Sequence, residues 1–219
     1  MKIYIGASET PYHVSEATLK AASDYFTTAI KHIELGVRSS PDTLRFPEDD
    51  RDAWEVFLHW LLKGTIPPIA GVDGWELNVK CWILGDRYNI PDFQDDAIFD
   101  MLSESESGFL PRLSAIQLAF AGTPQGSKLR EYMAEEAWRM VTRGLISDQE
   151  LDKALNGTLY LTEILTAKRL FDEKNKQNIF HNRFGRSDYV LAMRNAPWSA
   201  FILGDKRRLL GYVAEYYLD

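Results

Sequence analysis

Polar and apolar positions change their spacing along the chain. Lys2–Ile5 and Tyr12–Val14 are short alternating or apolar segments joined by a polar turn containing Gly6, Ser8 and Pro11. That pattern predicts a two-stranded hairpin. From Ala17 to Ile33 the spacing becomes helical, through Leu19, Ala22, Tyr25, Phe26, Ala29, Ile30 and Ile33, with a break expected near Ser23-Asp24. Residues 36–41 read as a loop, and Thr43–Phe46 reads as a third strand that Pro47 stops.

The strongest signal follows. Ala53, Val56, Phe57, Trp60 and Leu61 form one helical stripe, and Trp54, Leu58 and Leu62 form a second. A helix apolar on two sides is expected at the centre of a small domain. Asp49 or Asp50 can cap its first turn, Gly64 ends it, and Pro67-Pro68 forbid continuation. Trp75–Tyr88 is the next helical run. Ile90-Pro91-Asp92 breaks it and opens another, with Asp92 as N-cap, Asp95 three residues on, and Phe93, Ala97, Ile98, Met101 and Leu102 facing inward.

Residues 103–108, Ser-Glu-Ser-Glu-Ser-Gly, are polar and small, the expected boundary between a first domain at 1–102 and a helical extension at 103–219. Beyond it the pattern is helical at Leu113–Ala121 and Ser127–Arg143. Ser147 and Glu150 carry a capping-box signature for a third helix. Residues 173–178 read as a loop and Leu209–Leu218 as a final aromatic helix.

Composition narrows the class. The chain has 219 residues, 45% hydrophobic and 26% charged, as in an ordinary globular protein. The formal charge of −7 argues against generic attraction to nucleic acid or anionic lipid. Residues 166–219 hold ten Lys/Arg against six Asp/Glu (+4), which leaves −11 on residues 1–165. Cys81 is alone, so no disulfide can form within the chain, and its apolar neighbours suggest a core thiol. With no signal-like segment at the start and no apolar run near ~20 residues, an intracellular location, cytoplasmic or nuclear, is expected.

Several motifs are similar to those of the BTB/POZ domain, fungal members in particular. The aromatic-x-Val strand end is Tyr12-His13-Val14, followed by Ser23-Asp24-Tyr25-Phe26. The strand, acidic turn and Trp-Leu-x-x-Gly helix end are residues 44–50 and Trp60-Leu61-Leu62-Lys63-Gly64. The Asp-x-Tyr helix end is Asp86-Arg87-Tyr88, and Gly126-Ser127-Lys128-Leu129-Arg130 resembles a segment that fungal members carry after the domain. Ser15-Glu16 stands where many members have His-Lys, and the longer lead that helps animal relatives to dimerise is not seen before Lys2.

The resemblance implies an α+β fold: a BTB/POZ-like helical cluster flanked by a short three-stranded sheet, followed by an all-helical C-terminal extension. It implies a non-enzymatic protein–protein interaction module, either a substrate adaptor for a cullin-RING ubiquitin ligase or a homo-oligomerising scaffold or transcription-regulatory protein. The partner is then a cullin or a second copy of the chain, with no nucleic acid and no membrane. Relatives meet the cullin after the third strand and in the helices beyond, which places the contact at Asp49, Asp50, Asp92, Phe93 and Gln94. Trp75 and Trp198, each following Gly or Pro, are further candidate anchors, although core packing is the commoner fate of a tryptophan.

Catalytic chemistry finds little to stand on. His13, His32, His59 and His181 are scattered and, with one cysteine, give no metal-ligand spacing. No phosphate-binding loop or nucleophile elbow occurs. Asp49-Asp50 and Asp95-Asp96 fall at helix starts, where capping accounts for them. No cofactor is expected. An enzyme of unrecognised type would have to draw on His181, Asp188, Tyr189 and Arg194.

Overall fold

Strand β1 (Lys2–Ile5) pairs antiparallel with β2 (Tyr12–His13) on one side and parallel with β3 (Thr43–Phe46) on the other. The register sets Lys2 beside His13 and Thr43, and Tyr4 beside Arg45. Alternation then sends Ile3, Ile5, Leu44 and Phe46 to the buried face. The computed structural model describes residues 1–35 and 42–176, which form a mixed α+β, mainly helical structure of two compact units, Met1–Met101 and from Leu102 onward.

In the first unit, helices α1 (Glu16–Ala22) and α2 (Asp24–Glu34) are separated at Ser23, the expected break. Ser23 is in extended backbone, and its hydroxyl accepts the Tyr25 N–H, so one residue ends α1 and caps α2. Helix α3 (Arg51–Lys63) is capped by Asp50, whose carboxylate accepts the Ala53 N–H at 3.0 Å. It stops at Gly64, whose φ of +71° suits a residue without a Cβ. Helix α4 (Gly74–Arg87) packs against α3 and is capped by Asp73.

The two-sided burial expected of α3 holds only for its first half. Ala53, Trp54, Val56 and Phe57 are buried, but Leu58, Trp60 and Leu61 are half-buried and Leu62 is 75% exposed. Core packing is dominated by rings. Phe26 lies 5.5–6.4 Å from Phe46, Trp54, Phe57 and Tyr88, and Phe57 continues the cluster to Phe93 at 5.3 Å. Such pairs add about 0.5–1.5 kcal/mol each to the area they bury.

Helix α5 (Pro91–Glu106) differs from expectation at both ends. Pro91 occupies its first position, which needs no N–H donor, so Asp92 sits in the first turn and is not the cap. Residues 103–106, expected as a polar boundary, are the last helical turn, and the two units divide just before them, after Met101. Ser105 is buried there, donating to Glu136 and accepting from Arg139, and those bonds hold the polar stretch in helix.

The second unit continues with α6 (Leu113–Gly122), α7 (Lys128–Thr142), α8 (Asp148–Leu155) and α9 (Leu161–Lys176). Helix α7 packs on α6 and α9, and α8 packs on α6. The capping box forms as predicted, with Ser147 and Glu150 bonding each other's backbone N–H. Helix α9 runs through residues 173–176, where a loop was expected. The aromatic helix expected at Leu209–Leu218 lies outside the described residues.

The polar centre of this unit is Arg130 on α7. Its Nε lies 3.1 Å from Glu163 Oε1 on α9, and both side chains are at least nine-tenths buried. Arg130 also donates to the carbonyls of Thr123 and Thr158 and lies 4.7 Å above the Phe120 ring. Removing one member of such a pair strands the other charge away from water. Arg130→Met is expected to cost about 3 kcal/mol, read as a lowered midpoint of the second unit in thermal unfolding. A midpoint unchanged from the parent protein would show that the pair contributes little.

Candidate functional site

Three segments that carry the sequence motifs meet at one carboxylate. The short turn after β3 delivers Asp49, whose side chain is only 3% exposed. Trp54, one turn into α3, donates its indole N–H to Asp49 Oδ2 at 2.7 Å. Tyr88, just past the end of α4, donates its hydroxyl to the same oxygen, and Arg87 donates to Oδ1. The two oxygens therefore have a donor from the helix that follows Asp49 and two from the end of the next. The Tyr88 carbonyl in turn accepts the Ser23 hydroxyl, which ties in α2.

Asp50, next in sequence, points outward. Its carboxylate is 38% exposed and pairs with Lys80 on α4 at 2.8 Å. Burial disfavours its charge, but Lys80 and the Ala53 N–H outweigh that and hold its carboxyl below the usual range. Adjacent aspartates thus divide the labour: Asp49 anchors the core, and Asp50 caps α3 and latches α4.

The corner between α4 and α5 is tightly fitted. A Cβ on Gly85 would lie 2.6 Å from Gln94 Cγ and 3.3 Å from the Ile90 carbonyl, so the helix ends approach only because that residue is glycine. Asn89 turns the corner at φ +54°, a conformation asparagine tolerates better than most residues. Behind it Phe93 packs on Phe57 and Trp60, and the Trp60 indole N–H donates to Asp96 Oδ2 at 2.6 Å. Asp96 is therefore an α3–α5 tie, not part of a cap.

The proposed contact residues separate by burial. Asp49, Phe93 and Gln94 are buried, because the ring cluster and the close helix corner enclose them, and Trp75 is buried at the start of α4, so these four are not direct contacts on this surface. Asp50, paired with Lys80, is half-exposed and Asp92 is exposed, so these two reach the surface. Trp198 lies outside the described residues, as do His181, Asp188, Tyr189 and Arg194. Arg87 is the member of the cluster that sequence reasoning missed. Its only signal was a position beside Tyr88 in the Asp-x-Tyr motif.

The chemistry available here is that of a closed polar knot. Burial first, then the bond to Asp49, push the Tyr88 phenol well above the ordinary tyrosine range, so it stays a donor. Burial likewise pushes the Cys81 thiol up, away from a reactive thiolate. Among the described residues no three His, Cys, Asp or Glu side chains converge to hold a metal ion, and no helix is long and apolar enough to cross a membrane. Comparison with family models, with curated proteins and with solved structures gave no match.

Asp49→Ala leaves the Trp54 and Tyr88 donors buried without acceptors and is expected to cost about 3 kcal/mol. Arg87, half in solvent, should cost only about 0.5 kcal/mol when replaced by alanine. Urea denaturation of the two variants tests that order, and equal losses would contradict it. Stability should also fall at alkaline pH. An unfolded chain releases the Cys81 proton near pH ~8.5 and the Tyr88 proton near ~10, whereas the folded chain retains both. Folding stability is thus whole below these values and is lost as pH rises through them. Tyr88→Phe should be less stable at pH 7 yet lose less between pH 9 and 11; a parallel decline in both proteins would exclude Tyr88 as the cause.

Proposed function

We propose that residues 1–102 form a BTB/POZ-like protein-interaction module and that 103–219 are its helical extension, with no catalytic role for either. One observation supports the reading above others. The segments on which the family resemblance rests lie far apart in sequence, yet they meet at Tyr88: Ser23 bonds its carbonyl, Asp49 accepts its hydroxyl, and Phe26 stacks on its ring. Motifs that place residues in mutual contact are more than a chance run of similar letters. The order of three short strands among α-helical pairs agrees with the same reading.

On this reading the chain recruits another protein, as an adaptor that presents a target to a cullin-RING ubiquitin ligase. The helical extension would then hold the target. The cullin would meet Asp50 and Asp92, the exposed members of the surface, while Phe93, Gln94 and Asp49 shape it from beneath. A homo-oligomerising scaffold is the alternative.

Light scattering across a concentration range, with and without a cullin N-terminal domain, separates the two. A monomer that forms a defined complex with the cullin supports the adaptor, and a stable dimer indifferent to the cullin supports the scaffold. Asp92→Arg, at an exposed position in the first turn of α5, is expected to weaken the cullin complex about tenfold and, by opposing the helix dipole, to lower the thermal midpoint slightly. An unchanged affinity would remove Asp92 from the contact.

A further inference from the structure

The outer face of the sheet has a composition that the rest of its unit does not share. Alternation brings Lys2, Tyr4, His13, Thr43 and Arg45 to that face, with Lys2, His13 and Arg45 exposed. None is acidic. Residues 1–101 as a whole hold 17 Asp/Glu against nine Lys/Arg, a net of −8. Half of the eight described Lys and Arg residues in that unit are neutralised: Lys20 by Glu16 and Glu34, Arg51 by Glu55, Lys80 by Asp50 and Arg87 by Asp49.

Lys2 and Arg45 have no carboxylate partner among the described residues, and Arg45 instead lies 4.1 Å above the Tyr4 ring. Lys31 and Lys63 are also without one, but each stands in the last turn of its helix, where the helix dipole explains a cation. Protection of a sheet edge explains a lysine on an edge strand. Lys2, however, is on β1, the middle strand. Edge protection accounts for Arg45, on the edge strand β3, but not for Lys2 beside it.

We infer that this face, Lys2, His13 and Arg45 around the Tyr4 ring, docks an acidic extended segment of a partner protein. The spacing fits. The row through His13, Lys2 and Thr43 and the row through Tyr4 and Arg45 are two residues apart along the strands, about 6.6 Å. Carboxylates on alternate residues of an extended peptide repeat at the same distance. A small basic face on a unit of net charge −8 selects a short acidic stretch and repels a long polyanion such as nucleic acid. The inference goes beyond the cullin reading, since it concerns different residues and holds for either kind of interaction module.

The test uses the full chain and a labelled extended peptide with glutamate at every second position, followed by fluorescence anisotropy. Binding is expected, weakening as salt is raised, and about tenfold weaker in Lys2→Glu/Arg45→Glu. The control Lys31→Glu/Lys63→Glu should bind like the parent, and Lys2→Gln/Arg45→Gln serves if charge reversal impairs folding. Equal binding by parent and sheet-face variants would overturn the proposal. So would equal affinity for a peptide with lysine in place of glutamate, or tighter binding to single-stranded DNA or to anionic phosphatidylserine vesicles.

Discussion

Asp49 is a carboxylate taken out of water, and the need to satisfy it decides which parts of the first unit must be neighbours. A buried charge is tolerated when each oxygen meets a donor. Here the donors are the indole of Trp54, the phenol of Tyr88 and the guanidinium of Arg87. Two of these are also large rings, or lie beside one, so the polar requirement and the aromatic packing select the same arrangement. Moving α4 away from α3 would expose Tyr88 and unpair Asp49 together. The rings supply most of the attraction, and the carboxylate makes it specific to one packing.

The second unit solves a related problem with a different residue. Arg130 serves as the shared donor, reaching Glu163 on α9, the Thr123 carbonyl after α6 and the Thr158 carbonyl before α9. Guanidinium is suited to this because its donors fan out in one plane and stay charged at any accessible pH. The first unit thus centres on an acceptor approached by several donors, and the second on a donor shared among several acceptors. Both place a single ionic group where helices of distant sequence converge.

Much of the local structure was legible because it depends on neighbours in sequence. The hairpin, the third strand, the break at Ser23, the end of α3 at Gly64 and the capping box at Ser147 follow from short-range rules. Asp49 and Asp50 look alike in sequence, and only the position of Trp54 and Arg87 in three dimensions assigns one to the core and the other to the cap. Leu62 was expected inside because it completes an apolar stripe, yet the pattern carries no information on where the neighbouring elements stop. Ser105 was expected in a boundary because its neighbours are polar; a buried network with Glu136 and Arg139, some thirty residues away, holds it in helix. Phe93 and Gln94 were placed on a surface by analogy, but the rings of Phe57 and Trp60 enclose the first and the glycine corner at Gly85 encloses the second.

The parallel pairing of β1 with β3 carries a consequence for the order in which the chain assembles. A two-stranded hairpin is marginal on its own, so β1 and β2 gain a stable sheet only once β3 arrives. β3 is separated from them by the whole of α1 and α2, and closing that loop has an entropic cost that no local contact offsets. During synthesis from the N-terminus, the first strand must therefore wait, its apolar Ile3 and Ile5 uncovered, until Phe46 and the α3 aromatics have followed. Of these elements β1 is made before the others yet is among the last to settle, and that interval is when the nascent chain is most open to mispairing or to chaperone capture.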